Sequence, residues 1–370
     1  MNPLQELYNF EQSFWVDYIL RSLITSGELD MHIKEDGVRG VTSNPAIFLN
    51  AIAETDEYTE SINSLSPQYE DTKSLYEQLA IQDIQGAADA LRPVYDQSKK
   101  QDGYVSLEVS PHLARDTDGT LDEARRLWKT VAKENLMIKI PATPEGIPAI
   151  EQLISEGINV NVTLLFSQDA YQRVAQAYIA GLEKRLAQGQ PLDHVASVAS
   201  FFISRIDSAI DKLLEEKLKA AGSPDETSLL QSVMGQVAIA NAKLTYQGYG
   251  EIFSGDQWRA LADKGAQTQR ILWASTSTKN PDYRDVIYVE ELIGPQTVNT
   301  IPPPTAEAFR DHGKLRESLT EGVDAAAEIM EKLEQAGISM KEVTDRLLEE
   351  GIDIFAVAFD KLLSAVEQAR

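Results

Sequence analysis

The strongest constraint on this chain is a recurrence. Short β-like runs return along it at residues 14–19, 38–41, 105–109, 137–140, 160–165, 195–201, 271–274 and 297–301, mostly with helical patterns between them. Strands separated by helices predict a parallel sheet, because a parallel neighbour needs a long crossover and a helix supplies it. Eight such strands predict an α/β fold of one kind, a closed (β/α)8 TIM-type barrel, which typically takes about 250 residues. The chain has 370. Extra helices around residues 51–98 and 205–265, and a mainly helical C-terminal extension over 305–370, account for the surplus. No linker, repeat or composition break divides the sequence, so one barrel domain over residues 1–370 is expected. The first run stays open between two readings, a strand or the continuation of an opening helix.

Helical signals between the runs are specific. Thr120 and Glu123 have capping-box spacing, followed by Leu121, Ala124, Leu127, Trp128 and Val131 at helical intervals. Ser167 can cap a helix carrying Tyr171, Val174, Ala175, Tyr178 and Leu182 that stops near Gly189. Near the C-terminus, Phe355, Phe359, Leu362, Leu363 and Val366 share one apolar face.

Charge and composition remove several function classes. Lys plus Arg total 34 against 58 Asp plus Glu, a formal charge of -24. That field repels phosphate backbones, so nucleic acid is not an expected partner, and any anionic substrate needs a local basic pocket. With no cysteine, thiol nucleophiles, disulfides and thiolate metal sites are excluded. His32, His112, His194 and His312 show no short metal-ligand spacing, so no metal is expected. The N-terminus lacks a basic start and an apolar core, and the apolar stretch 195–203 is too short to span a bilayer. A soluble, cytoplasmic protein with no membrane partner is the expectation.

A barrel enzyme works at the C-terminal ends of its strands, which makes polar residues on otherwise apolar strands informative. Alternation places Tyr104, Ser106 and Glu108 on one face of the third run, and Asn159, Asn161 and Thr163 on one face of the fifth. Lys139 interrupts the fourth run. Burying it as a cation is costly unless it is paired, and burial favours the neutral amine, a nucleophile towards carbonyls. It either forms a Schiff base, or pairs with a carboxylate or snorkels to water. Glu108 reads equally as its ion-pair partner or as a general acid/base. Pro45 forces Asn44 out of helical backbone, and on spacing alone Asn44 reads as a helix cap. Gly248-Tyr-Gly250 lacks the third glycine of a dinucleotide site.

Taken together, six segments resemble the transaldolases, in order and over nearly the whole chain: Gly40-Val-Thr-Ser-Asn-Pro, Val105-Ser-Leu-Glu-Val-Ser-Pro, Met137-Ile-Lys-Ile-Pro-Ala-Thr, Gly157-Ile-Asn-Val-Asn-Val-Thr-Leu-Leu-Phe-Ser, Ala199-Ser-Phe-Phe-Ile-Ser-Arg and Asn299-Thr-Ile-Pro. The resemblance implies a (β/α)8 barrel that transfers a dihydroxyacetone unit between sugar phosphates in the pentose phosphate pathway, without a cofactor. It implies Lys139 as the Schiff-base lysine and Asp17 as the group assisting proton transfer at the cleaving carbon–carbon bond. Glu108 and Thr163 would hold a water and shuttle protons. Asn44, Asn161 and Ser200 would bind the dihydroxyacetone hydroxyls, with Phe202 beside them. Phosphate recognition falls on Arg205 and Ser275. The family's arginine shortly after that serine is absent, and Lys279 is its expected substitute. A related group of lysine-dependent barrels, the fructose-6-phosphate aldolases, carries glutamine and tyrosine where this chain has Glu108 and Phe202. A sugar-phosphate-binding barrel without turnover is a further alternative.

Overall fold

A computed structural model describes residues 2–370. Eight parallel strands close into a barrel in sequence order: β1 (Gln12–Asp17), β2 (Gly40–Thr42), β3 (Tyr104–Glu108), β4 (Leu136–Pro141), β5 (Val160–Leu165), β6 (Ser197–Phe202), β7 (Arg270–Ala274) and β8 (Thr297–Ile301). The expected (β/α)8 architecture is the one observed. Strands β4, β5, β6 and β8 are buried at every position, β4–β6 reading as near-continuous runs because helices cover the outside.

The ambiguous first run is a strand, and it starts two residues earlier than hydropathy suggests. Gln12 and Ser13 are buried because the Gln12 amide nitrogen and the Ser13 hydroxyl find partners inside. Gln12 Nε2 donates to Leu292 O (2.7 Å) and Thr297 Oγ1 (2.9 Å), and Ser13 Oγ donates to Asp102 (2.8 Å). The opening helix is the short segment Pro3–Glu6, followed by a 3-10 turn over Leu7–Phe10. Strand β2 begins at Gly40 rather than residue 38, and the Trp15 ring lies where a Cβ on Gly40 would fall, 2.4 Å away. Only glycine admits that contact.

The cap expected at Ser167 is present, its hydroxyl accepting from Ala170 N (3.1 Å). The Thr120/Glu123 capping box is not. That helix spans Thr117–Val131 and is capped by Asp116, which accepts from Gly119 N (3.0 Å). Thr120 instead donates to Leu113 O, and Glu123 accepts from Ser110 N, so both pack the helix against the loop after β3.

The N-terminal end of the barrel is closed by a charged plug. Buried Asp102 accepts from Ser13, the Trp15 indole, Arg39 (2.7 Å) and Arg270 (2.9 Å). Burial alone would raise its pKa, but Arg270 and Arg39 hold it below the ordinary carboxylate value. The opposite end carries the polar strand residues singled out by the sequence, Lys139 among them.

The C-terminal segment forms the helices Pro303–His312, Val323–Gln335 and Met340–Ala369. The last of these packs on the helix Pro45–Ala53 and turns the expected apolar face inward, with Phe355, Phe359, Leu362 and Val366 buried and Leu363 half-buried. None of the helices is long and apolar enough to cross a membrane among the described residues.

Candidate active site

Register brings the polar strand positions together. Glu108 pairs with Lys139, Lys139 with Asn161, Pro141 with Thr163 and Asp17 with Thr42 across neighbouring strands. A cavity of about 240 Å³ opens above them, bordered by Asp17, Asn44, Lys139, Ser200, Phe202, Arg205, Ser275 and Lys279. Eight of the eleven residues expected at a site thus border one cavity. Glu108, Asn161 and Thr163 do not border that cavity and lie behind it.

The Lys139 amine is almost fully buried. It donates to Ser43 O (3.2 Å) and stands 3.5 Å from Glu108 Oε2, an ion-pair contact without hydrogen-bond geometry. Glu108 Oε2 and Thr163 Oγ1 are buried polar atoms with no hydrogen-bond partner in the protein. Such atoms normally mark a place for water or substrate. Burial pushes the Glu108 carboxyl up to about 7, Lys139 opposing the shift and Asp17 adding to it. Burial likewise raises Asp17, against the charges of Lys139 and Lys279 and a 2.7 Å hydrogen bond from Thr42. Two acids displaced towards neutrality beside a lysine form a proton-handling set.

Behind the cavity, buried polar residues fix one another. Ser200 Oγ donates to Asn161 Oδ1 (2.6 Å), and Asn161 Nδ2 donates to Ser106 Oγ (3.0 Å). Asn44 is the helix cap its spacing predicts, accepting from Ile47 N (3.0 Å), and it borders the cavity as well. A cap leaves its amide nitrogen free for a ligand.

The other end of the cavity is cationic. Arg205 lies in the first turn of the helix Ser204–Ala220, whose N-terminus has no side-chain cap. Its guanidinium sits 5.3 Å from the Phe202 ring centre and 5.9 Å from that of Phe355. Burial lowers the pKa of Arg205, and burial with Arg205 beside it lowers that of Lys279. Ser275 adopts a left-handed φ of 56°, rare for a residue with a side chain, and its carbonyl accepts from Ser204 N (3.0 Å). The following loop is pinned to the same helix by Tyr283 on Asp211 and Tyr288 on Asp207, each at 2.8 Å. Two adjacent cations, a serine with left-handed backbone and an uncapped helix N-terminus give this end of the cavity the chemistry that suits an anion.

Eight further residues border the cavity without a sequence-derived role, among them Thr42, Thr300, Ile354 and Phe355. Thr42 and Thr300 share a 2.6 Å hydroxyl contact that orients Thr42 on Asp17, and both lie inside segments already singled out. Ile354 and Phe355 come from the C-terminal helix, where Phe355 counted only as part of a packing face.

Comparison with known proteins agrees with this fold. Residues 14–366 match the family model described as Transaldolase/Fructose-6-phosphate aldolase. The chain is 50% identical over 369 residues to the Transaldolase of Trichodesmium erythraeum, covering 99% of this chain and 97% of that one. It is 50% identical to Transaldolase 2 of a Nostoc species, with the same coverage, and 46% identical to the Transaldolase of Thiobacillus denitrificans, covering 99% and 100%. With a barrel of this topology and a buried strand lysine at its catalytic end, the chain belongs to the transaldolase/fructose-6-phosphate aldolase family.

Proposed function

We propose that this enzyme is a transaldolase that carries a dihydroxyacetone unit on Lys139. The amine attacks C2 of a ketose phosphate such as fructose 6-phosphate or sedoheptulose 7-phosphate, and loss of water gives an iminium. The iminium withdraws electrons as the C3–C4 bond breaks. Asp17 takes the C4 hydroxyl proton, and an aldose phosphate leaves. The remaining enamine adds to the aldehyde of glyceraldehyde 3-phosphate or erythrose 4-phosphate, and Asp17 returns the proton to the new alkoxide. Hydrolysis of the imine frees the product.

The observation that carries this reading is the placement of Lys139 within 3.5 Å of Glu108, beside a cavity whose other end is cationic. Glu108 and the unpartnered Thr163 hydroxyl would hold the water lost and regained at C2. Asn44 and Ser200 bind the hydroxyls of the three-carbon unit, with Asn161 fixing Ser200 from behind. Arg205, Ser275 and Lys279 receive the phosphate. Lysine serves there as a point charge and not as a bidentate fork.

Borohydride reduction after incubation with fructose 6-phosphate tests the reading. Mass spectrometry with peptide mapping should find one reduced dihydroxyacetone adduct, on Lys139, and erythrose 4-phosphate added before the reductant should discharge it. Folded protein left unlabelled, while a known transaldolase labels in parallel, would refute it. Free dihydroxyacetone as the main product would favour an aldolase. For that second reading the specific observations point the other way, since Glu108 and Phe202 stand where the aldolase group carries glutamine and tyrosine.

A further inference from the structure

The C-terminal helix Met340–Ala369 contributes a side chain to the cavity from outside the barrel. Phe355 is 4% exposed, and its ring centre lies 5.8 Å from Lys139 Nζ and 5.9 Å from the Arg205 guanidinium carbon. Both flanks of this residue are fixed. One turn before it, Gly351 rests on Leu164, where a Cβ would lie 2.9 Å from a Leu164 methyl carbon. Leu164 itself has a left-handed φ of 59°, at a break in the β5–β6 register between Val162 and Leu165. Irregularities of this kind re-aim side chains at strand ends and persist only where the surroundings enforce them. One turn after Phe355, Phe359 packs edge-on against Tyr76 at 5.7 Å and against His112 at 6.0 Å.

A ring held this firmly over a reacting amine has a chemical use. An enamine on Lys139 has two fates. It can form a carbon–carbon bond to an acceptor aldehyde. Alternatively, protonation at its terminal carbon forms a C–H bond and regenerates the iminium. One water then adds at C2, the C–N bond breaks, and free dihydroxyacetone and the lysine amine separate. The second fate consumes one water and returns the amine unloaded. Water at C2 serves both fates, since the transferred product is also freed by hydrolysis. The step that separates them is therefore protonation of the terminal carbon. An apolar ring beside Lys139 removes volume in which a water donating that proton would stand.

We propose that Phe355 is a specificity-determining residue that keeps water from the three-carbon unit on Lys139 and so favours transfer over release. Gly351 is a positioning residue that lets the helix approach close enough to do this. The proposal rests on Lys139 carrying that unit, as proposed above.

The test measures free dihydroxyacetone and sedoheptulose 7-phosphate together, from fructose 6-phosphate with erythrose 4-phosphate. In Phe355→Ala the ratio of the first product to the second should rise about tenfold, the effect of 1.4 kcal/mol between competing barriers. Phe355→Leu, which keeps much of the apolar volume, should fall between wild type and Phe355→Ala. Gly351→Ala should raise the ratio too, with the ring intact. Should Phe355→Ala fail to fold, the other two variants decide. An unchanged ratio overturns the proposal, whether both products decline together or neither changes. Wild-type protein that borohydride does not label on Lys139 would overturn the imine reading and this one with it. A labelled lysine with an unchanged ratio overturns this one alone.

Discussion

Lys139 and Glu108 sit in register on adjacent strands, and their charged groups stop 3.5 Å apart without a hydrogen bond. The pair is an ion-pair contact that lacks hydrogen-bond geometry, which leaves Glu108 Oε2 without a hydrogen-bond donor.

Glu108→Gln follows directly from that spacing. Turnover should fall by roughly 10²–10⁴, the usual contribution of a general acid/base. Stability should move the other way. The folded-state pKa of Glu108 is raised from 4.5 to about 7, so its ionisation opposes folding as pH climbs through that window. The variant should therefore melt above wild type at pH 8, with a gain that shrinks below pH 7 and disappears below about 4.5. Calorimetry across pH, run beside kinetics, checks both halves. A variant less stable than wild type at pH 8 would contradict them.

At the cationic end, removal of Arg205 or Lys279 should act on phosphate binding. A charged hydrogen bond contributes about 1.5–3 kcal/mol, so Arg205→Ala should raise the KM for fructose 6-phosphate roughly 10- to 100-fold, with a smaller change in kcat. Lys279→Ala should do less, and Lys279→Arg should restore or improve binding. With unphosphorylated fructose as donor, all four proteins should converge. A KM that does not respond to Lys279→Ala would remove this residue from the phosphate site.

The chain from Ser106 through Asn161 to Ser200 is buried throughout. Asn161→Ala leaves two hydroxyls without their partner and should cost about 1–3 kcal/mol of stability. It should also raise the KM for ketose donors, because Ser200 is then free to turn. Chemical denaturation and donor kinetics measure the two effects. A loss of stability with donor KM unchanged would confine Asn161 to the core.

The far end of the barrel predicts a stability effect without a direct catalytic one. Asp102→Ala removes the carboxylate between Arg39 and Arg270 and should destabilise by about 3–5 kcal/mol. Since Asp102 is held below its ordinary pKa, wild type has this stabilisation fully above the ordinary carboxylate value and loses it as pH falls through the depressed one. The gap between wild type and variant should narrow only in strong acid. A melting temperature that does not move would show the plug to be energetically idle.

Strand positions were legible because strands buried on both faces write themselves as apolar runs, and polar intruders such as Lys139 stand out against them. The start of β1 was not, since Gln12 and Ser13 are buried by virtue of partners far along the chain. The plug was invisible for the same reason. Arg39 and Asp102 lie 63 residues apart, and Arg270 is 168 residues beyond Asp102. Periodicity also identified the face to which Phe355 belongs, but a helical face does not say what it will meet. Thr120 and Glu123 show the converse failure. Their spacing fits a cap, but Asp116 begins the helix one turn earlier.

The seating of Phe355 beside Lys139 bears on how the enzyme comes into being. The lysine and all eight strands are synthesised before the helix that carries this ring. On the ribosome, a closed barrel with an accessible amine can therefore exist before that amine is sheltered. On the role proposed for Phe355, competence at transfer waits on the docking of that last helix.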